Sequence, residues 1–128
     1  MNPTDARRWI LIVDDDSSVR QMLARVLTDE GHRVLTAASG LEAIGLASTM
    51  VFDLILLDIT MPDMNGWETL AELTAKKLAQ PHSVIIITAS PNQQATAREA
   101  GVMAVLEKPL DFPLLIKTVS HALAKAVT

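Results

Sequence analysis

The chain has 128 residues, 49% of them apolar and 20% charged, which is enough material for one packed core and fits one domain over residues 1–128. The formal net charge of −4 argues against direct, non-specific nucleic-acid binding, which needs a basic surface. Cysteine is absent, which excludes a disulfide framework and a thiolate metal site.

The first residues, "MNPTDARRW", lack the apolar stretch of a signal peptide, and no apolar run approaches the ~18 residues of a membrane span. A cytoplasmic protein without membrane insertion is the expectation. The first apolar run, Trp9–Val13, ends in three consecutive aspartates, Asp14, Asp15 and Asp16. Two carboxylates about 4 Å apart repel by roughly 4 kcal/mol at an effective dielectric near 20. A compensating charge is therefore expected nearby. Asp16, followed by Ser17 and Ser18, reads as the cap of a first helix. Val19, Met22, Leu23, Val26 and Leu27 give that helix an apolar stripe, and Gly31 closes it.

A second run, Val34–Ala38, leads to Ser39 and Glu42, whose spacing predicts a capping box on a second helix. The third run, Leu54–Leu57, is followed by Asp58. Gly66 suits a loop position that needs positive φ, and Trp67, Leu70 and Leu73 mark a third helix. The fourth run, Val84–Ile87, is followed by Thr88, Ala89 and Ser90. A helix over 92–100 comes next, rich in Ala and Gln and thin in apolar residues, and so expected to be the most mobile. The fifth run, Met103–Leu106, is followed by Glu107, Lys108 and Pro109. Asp111 then caps a last helix carrying Leu115, Ile116, Val119 and Leu123. The runs "LILL" and "VIII" are apolar throughout, which marks central parallel strands covered on both faces. Five β–α units with right-handed crossovers give an α/β fold with a doubly wound parallel sheet, whose strand order this pattern leaves open.

Ligands of such sheets bind beyond the carboxyl ends of the strands. There the chain gathers Asp14, Asp15, Asp58, Thr88 and Lys108. An all-oxygen carboxylate set suits a hard cation such as Mg²⁺, while an ammonium and a hydroxyl suit phosphoryl oxygens. A carboxylate can itself be a phosphoryl acceptor. Singly, each residue has an ordinary reading as a cap, a turn or a solvated charge; their coincidence at four of the five strand ends does not.

The stretches "LIVDDDSSVR", "LILLDITMPDMNG", "VIIITAS" and "VLEKP", in this order and spacing, resemble the receiver domain of two-component response regulators, from about Trp9 to Val127. The resemblance implies a flavodoxin-like five-stranded sheet in the order 2-1-3-4-5 with helices on both faces. It implies Asp58 as phospho-acceptor, with Thr88 and Lys108 contacting the phosphoryl group. Asp15 and Asp58 would hold Mg²⁺ directly, Asp14 mainly through water, and the backbone carbonyl of Thr60 would complete the set. The Lys108–Pro109 bond would be cis. The expected donor is a histidine kinase or a histidine phosphotransfer protein, and the output an unidentified protein target. A homodimer formed on phosphorylation is also open. The protein would not be an enzyme beyond catalysing its own phosphorylation and dephosphorylation.

Two positions depart from the family's pattern. Val105 stands where an aromatic ring is common, and Leu110 follows Lys-Pro in place of another aromatic. Thr60 and Ser90, which border the expected phosphoryl group, are small and neutral, so the site should be open to water. His32, His82 and His121 lie away from the strand ends and are not donors. Asp14-x-Asp16-x-Ser18 also comes near the nucleophile motif of haloacid-dehalogenase-type phosphatases, with Asp14 as nucleophile and Asp16 as acid/base. That reading leaves Asp58 and its Met-Pro loop unexplained. A receiver-like module that binds partners without phosphate has no need for all five residues.

Overall fold

The computed structural model describes residues 8–127; most of the N-terminal stretch read for a signal peptide lies outside them. Five strands, β1 (Trp9–Val13), β2 (Arg33–Ala37), β3 (Leu54–Asp58), β4 (Val84–Thr88) and β5 (Ala104–Glu107), alternate with five α-helices. The helices are α1 (Ser17–Asp29), α2 (Gly40–Ala47), α3 (Gly66–Ala75), α4 (Gln94–Ala100) and α5 (Phe112–Val127). All pairings are parallel, in the order β2-β1-β3-β4-β5.

The interior place of β3 and β4 in this order agrees with two-sided burial. Residues of β3 and β4 are buried at every position, as "LILL" and "VIII" require of central strands. Successive side chains point to opposite faces, so each central strand feeds two cores. Leu11, Val13, Ile55, Leu57, Val84 and Ile86 pack with Ala43, Ala47, Leu70 and Leu73 of α2 and α3. Ile10, Ile12, Leu54, Leu56, Ile85 and Ile87 pack with Leu23 and Leu27 of α1 and with Leu115, Val119 and Leu123 of α5. The chain leaves β1 toward β2 on one side and returns to β3 on the other. That reversal opens the crevice between the carboxyl ends of β1 and β3.

Several local expectations need correction. β2 and β5 are shifted by one residue, to Arg33–Ala37 and Ala104–Glu107, and Asp58 itself ends β3. Parallel pairing extends the ladder to the last residue with a partner, here Asp58 opposite Ile87. The fourth helix begins at Gln94, after Asn92 at φ 64°. Met22 is 42% exposed, because the buried face of α1 centres on Leu23 and Leu27. The reciprocal capping box lies not at Ser39 but at Asn65 and Glu68; Ser39 accepts from the Glu42 N–H at 3.1 Å without the return bond. Gly66 has no positive φ; Asp63 has it instead, at 68°. Glycine is needed at 66 for closeness. A Cβ there would lie 2.7 Å from the Ile59 Cα and would collide with the Asp58 carbonyl oxygen. Asp16, Gly31 and Asp111 take their expected places as helix-terminal residues, and Lys108–Pro109 is cis. Among the described residues no helix is long and apolar enough to cross a membrane.

Candidate functional site

Asp14 follows β1 directly, and its N–H continues the sheet ladder to the Ala37 carbonyl at 3.1 Å. The residue is 2% exposed, and both its carboxylate oxygens are engaged. Oδ1 accepts the Asp16 N–H at 2.9 Å, and Oδ2 accepts the Lys108 ammonium at 2.9 Å. Asp58 is equally buried at the end of β3. Its Oδ1 accepts the Thr60 N–H at 3.3 Å, and its Oδ2 stands 3.6 Å from Lys108 Nζ. Lys108 reaches both because its own N–H bonds the Thr88 carbonyl at 2.8 Å, one step beyond the β5 ladder. Asp15 is exposed at the rim. One carboxylate oxygen from each of Asp14, Asp15 and Asp58 falls within 4.8 Å of the others.

Thr88 ends β4 fully buried, and its hydroxyl accepts the Ser90 N–H at 2.9 Å. The hydroxyls of Thr60 and Ser90 lie 3.3 Å apart across the mouth of the site. The structure thus brings together Asp14, Asp15, Asp58, Thr88 and Lys108 from four strand ends, with Thr60 in the following loop. Asp16 is not part of the cluster. Its carboxylate caps α1, accepting from the Ser18 and Val19 N–H groups at 2.8 and 3.4 Å.

The electrostatics follow from two buried carboxylates, Asp14 and Asp58, sharing one ammonium, with Asp15 close by. Burial, and then the charge of Asp14, push the Asp58 carboxyl up to about 6; Lys108 and the Thr60 N–H oppose this, and Asp15 adds to it. At pH 7 a carboxyl with that value is still ionised by about ten to one. Burial alone would lower the Lys108 ammonium. The hydrogen bond to Asp14 and the charges of Asp58 and Asp14 outweigh it and hold the ammonium above its ordinary value. Chemically, the arrangement offers a buried, ionised nucleophile, an oxygen-only donor set for a hard divalent cation, and two hydrogen-bond donors.

Three contributors escaped the sequence reading. The Arg20 guanidinium donates from Nη1 to the Asp14 carbonyl at 2.8 Å. The Trp67 indole N–H donates to Gln93 Oε1 at 3.1 Å, tying α3 to the segment before α4. Neither bond has a local sequence signature. The Asn65–Glu68 box, which sets the start of α3 beside the Asp58 loop, does have one: Asn-x-x-Glu at the usual spacing.

The family model described as "Response regulator receiver domain" matches residues 10–120. The transcriptional regulatory protein ZraR of Klebsiella oxytoca is 40% identical over 115 residues, covering 90% of this chain and 26% of ZraR. The chain thus spans about a quarter of that relative's length. Protein PilH of Pseudomonas aeruginosa is 34% identical over 117 residues, covering 90% of this chain and 97% of PilH. The response regulator TrrA of Thermotoga maritima, whose crystal structure is in complex with Mg²⁺–BeF, superposes with a TM-score of 0.79 at 30% identity. That superposition covers 90% of this chain and 98% of TrrA. With its strand order, its strand-end residues and these relatives in agreement, the chain belongs to the response regulator receiver domain family of two-component signalling.

Proposed function

We propose that residues 1–128 form one receiver domain in which Asp58 accepts a phosphoryl group from a phosphohistidine of a histidine kinase or histidine phosphotransfer protein. The observation that carries this reading is the juxtaposition of Asp58 with Asp14, Asp15 and Lys108: a buried anion, other carboxylates close to it, and one ammonium between the strands. Asp58 Oδ attacks phosphorus, the phosphorus–nitrogen bond of the donor breaks, and the leaving imidazole takes a proton. The Lys108 ammonium and the Thr88 hydroxyl receive phosphoryl oxygens, positioning and neutralising charge as phosphoryl transfer requires. Asp14, Asp15, Asp58 and the backbone carbonyl of Thr60 would hold Mg²⁺. The carboxylate oxygens of Asp14, Asp15 and Asp58, within 4.8 Å of one another, fit that ion. Bound Mg²⁺ would offset the negative charge gathered on the carboxylates and the incoming group.

Catalysis is confined to the protein's own phosphorylation and dephosphorylation. The exposed Thr60 and half-buried Ser90 leave the phosphoryl position open to water. The signal leaves by altered contacts with a protein target, in the cytoplasm, and a homodimer formed on phosphorylation is one form such contacts can take. The phosphatase reading loses support because Asp16 spends its carboxylate on the helix cap.

The test is intact-mass analysis after incubation with acetyl phosphate and Mg²⁺. Wild type should gain one phosphoryl group, Asp58→Asn none, and Asp14→Asn a reduced amount. Labelling that survives Asp58→Asn, or is lost mainly in Asp14→Asn, would overturn the assignment, and absence of labelling throughout would favour a phosphate-independent module.

A further inference from the structure

Arg20 breaks a local rule. It is the fourth residue of α1, near the helix end where the backbone dipole disfavours a cation. Asp14, Asp15 and Asp16 all lie within six residues of it. Even so, among the described residues Arg20 forms no ion pair with any carboxylate. Its guanidinium is half-buried and donates instead to a peptide oxygen, that of Asp14, at 2.8 Å.

That oxygen is informative. The Asp14 carbonyl and the Asp15 N–H belong to one rigid peptide plane. The Asp14 N–H is already fixed by Ala37 and its carboxylate by Asp16 and Lys108. Asp15, by contrast, is exposed. Holding the Asp14 oxygen fixes the peptide on the amino side of Asp15, the Asp16 N–H bond to Asp14 Oδ1 holds the peptide on its carboxyl side, and the two together set the Cα–Cβ direction of the one exposed carboxylate in the cluster.

We propose that Arg20 is a positioning residue, which clamps the Asp14–Asp15 peptide so that the Asp15 carboxylate stays directed at the cation position. The proposal rests on the reading of Asp14, Asp15 and Asp58 as a Mg²⁺ site. The choice of a peptide oxygen over a carboxylate has a chemical sense. An arginine paired with Asp15 would compete with the cation for the same oxygens, whereas one bonded to the peptide orients Asp15 and leaves its charge free. Groups outside the ligand set that orient ligands commonly change metal affinity about tenfold or more when removed.

Charge and clamp predict opposite signs, which makes the test sharp. Arg20→Met removes the charge and the donor but keeps the length of the stem; Arg20→Lys keeps the charge without the planar fork. Mg²⁺ affinity is measured by calorimetric titration of the full chain, alongside the metal-free melting temperature. If Arg20 acts as a clamp, Arg20→Met binds Mg²⁺ about tenfold more weakly despite losing a nearby positive charge. Arg20→Lys should then fall between it and wild type, with metal-free melting temperatures close to wild type for both. Equal or tighter binding by Arg20→Met overturns the clamp while leaving the Mg²⁺ site standing. If Arg20→Met is too unstable to titrate, Arg20→Lys decides: wild-type affinity overturns the clamp, and a clear loss supports it. Failure of wild type itself to bind Mg²⁺ overturns both.

Discussion

Lys108 donates to Asp14 at 2.9 Å and stands farther from Asp58, at 3.6 Å. In the unphosphorylated protein the cation from the end of β5 is thus bonded more closely to Asp14 than to the proposed acceptor. Lys108→Ala would leave the almost fully buried Asp14 carboxylate without its charged partner. Breaking buried pairs costs about 3–5 kcal/mol, and the partial exposure of Lys108 places this one near about 2–3 kcal/mol. Urea unfolding of the metal-free variant checks this, and a loss under about 0.5 kcal/mol would mean that Asp14 is satisfied without Lys108.

Asp58 carries a definite pH signature. Its carboxyl sits at about 6 in the folded, metal-free state, above the 3.8 of an unperturbed group. Between those values the folded protein binds more protons than the unfolded chain, so this group's contribution to stability falls as pH rises through the window. Asp58→Asn removes that penalty. The variant should be more stable than wild type by about 1–3 kcal/mol at pH 7 without metal, and the gap should narrow as pH is lowered toward 4. Paired denaturation curves at several pH values decide the matter. A gap that widens on acidification would reverse the sign.

The neighbours Asp15 and Asp16 should separate cleanly. Asp16→Ala deletes a helix cap and should cost about 1 kcal/mol of stability with Mg²⁺ affinity nearly retained. Asp15→Ala should weaken Mg²⁺ binding far more, and, by easing repulsion, leave the metal-free fold equally or more stable. If Asp16→Ala were the variant that lost the ion, the ligand assignment would be wrong.

Gly66→Ala tests the close approach of α3 to the end of β3. The added Cβ would meet the Ile59 Cα at 2.7 Å, and backbone cannot swing aside as a side chain can. Overpacking of this kind costs about 1–3 kcal/mol or more. Because the displaced backbone belongs to Asp58 and Ile59, acetyl phosphate labelling should slow as well. Labelling at the wild-type rate would show that the loop absorbs the strain without moving the acceptor.

The helix α4 has seven residues, no side-chain cap and one buried residue, Ala97. Its start is tied to α3 through Gln93 and Trp67. Amide exchange over 94–100 should be faster than over α1, and Gln93→Ala should speed it further. Protection of 94–100 equal to that of α1 would refute this.

Where the chain signals through local chemistry, its sequence was legible. Runs of uniformly apolar residues marked the central strands, and Asp16 and Asp111 announced their helices through side-chain oxygens. The five strand-end residues were legible because parallel topology delivers every carboxyl end to one edge. What stayed hidden depends on distance across the fold. Gly66 reads as a turn glycine until the backbone of Ile59 arrives beside it. Arg20 carries no sequence signal of its role until the Asp14 carbonyl is seen within its reach. Strand ends shifted by one residue because pairing partners, and not composition, decide where a ladder stops.

The Trp67–Gln93 bond has a practical corollary. The chain holds two tryptophans. One donates its indole N–H to the segment that follows Thr88; the other, Trp9, lies at the amino end of β1 with the Arg33 guanidinium 5.7 Å from its ring centroid. The molecule therefore carries an optical probe tied to the segment after β4 and an internal reference at the amino end of β1. Trp9→Phe and Trp67→Phe variants would let emission spectra report events at the site in real time, with no label attached.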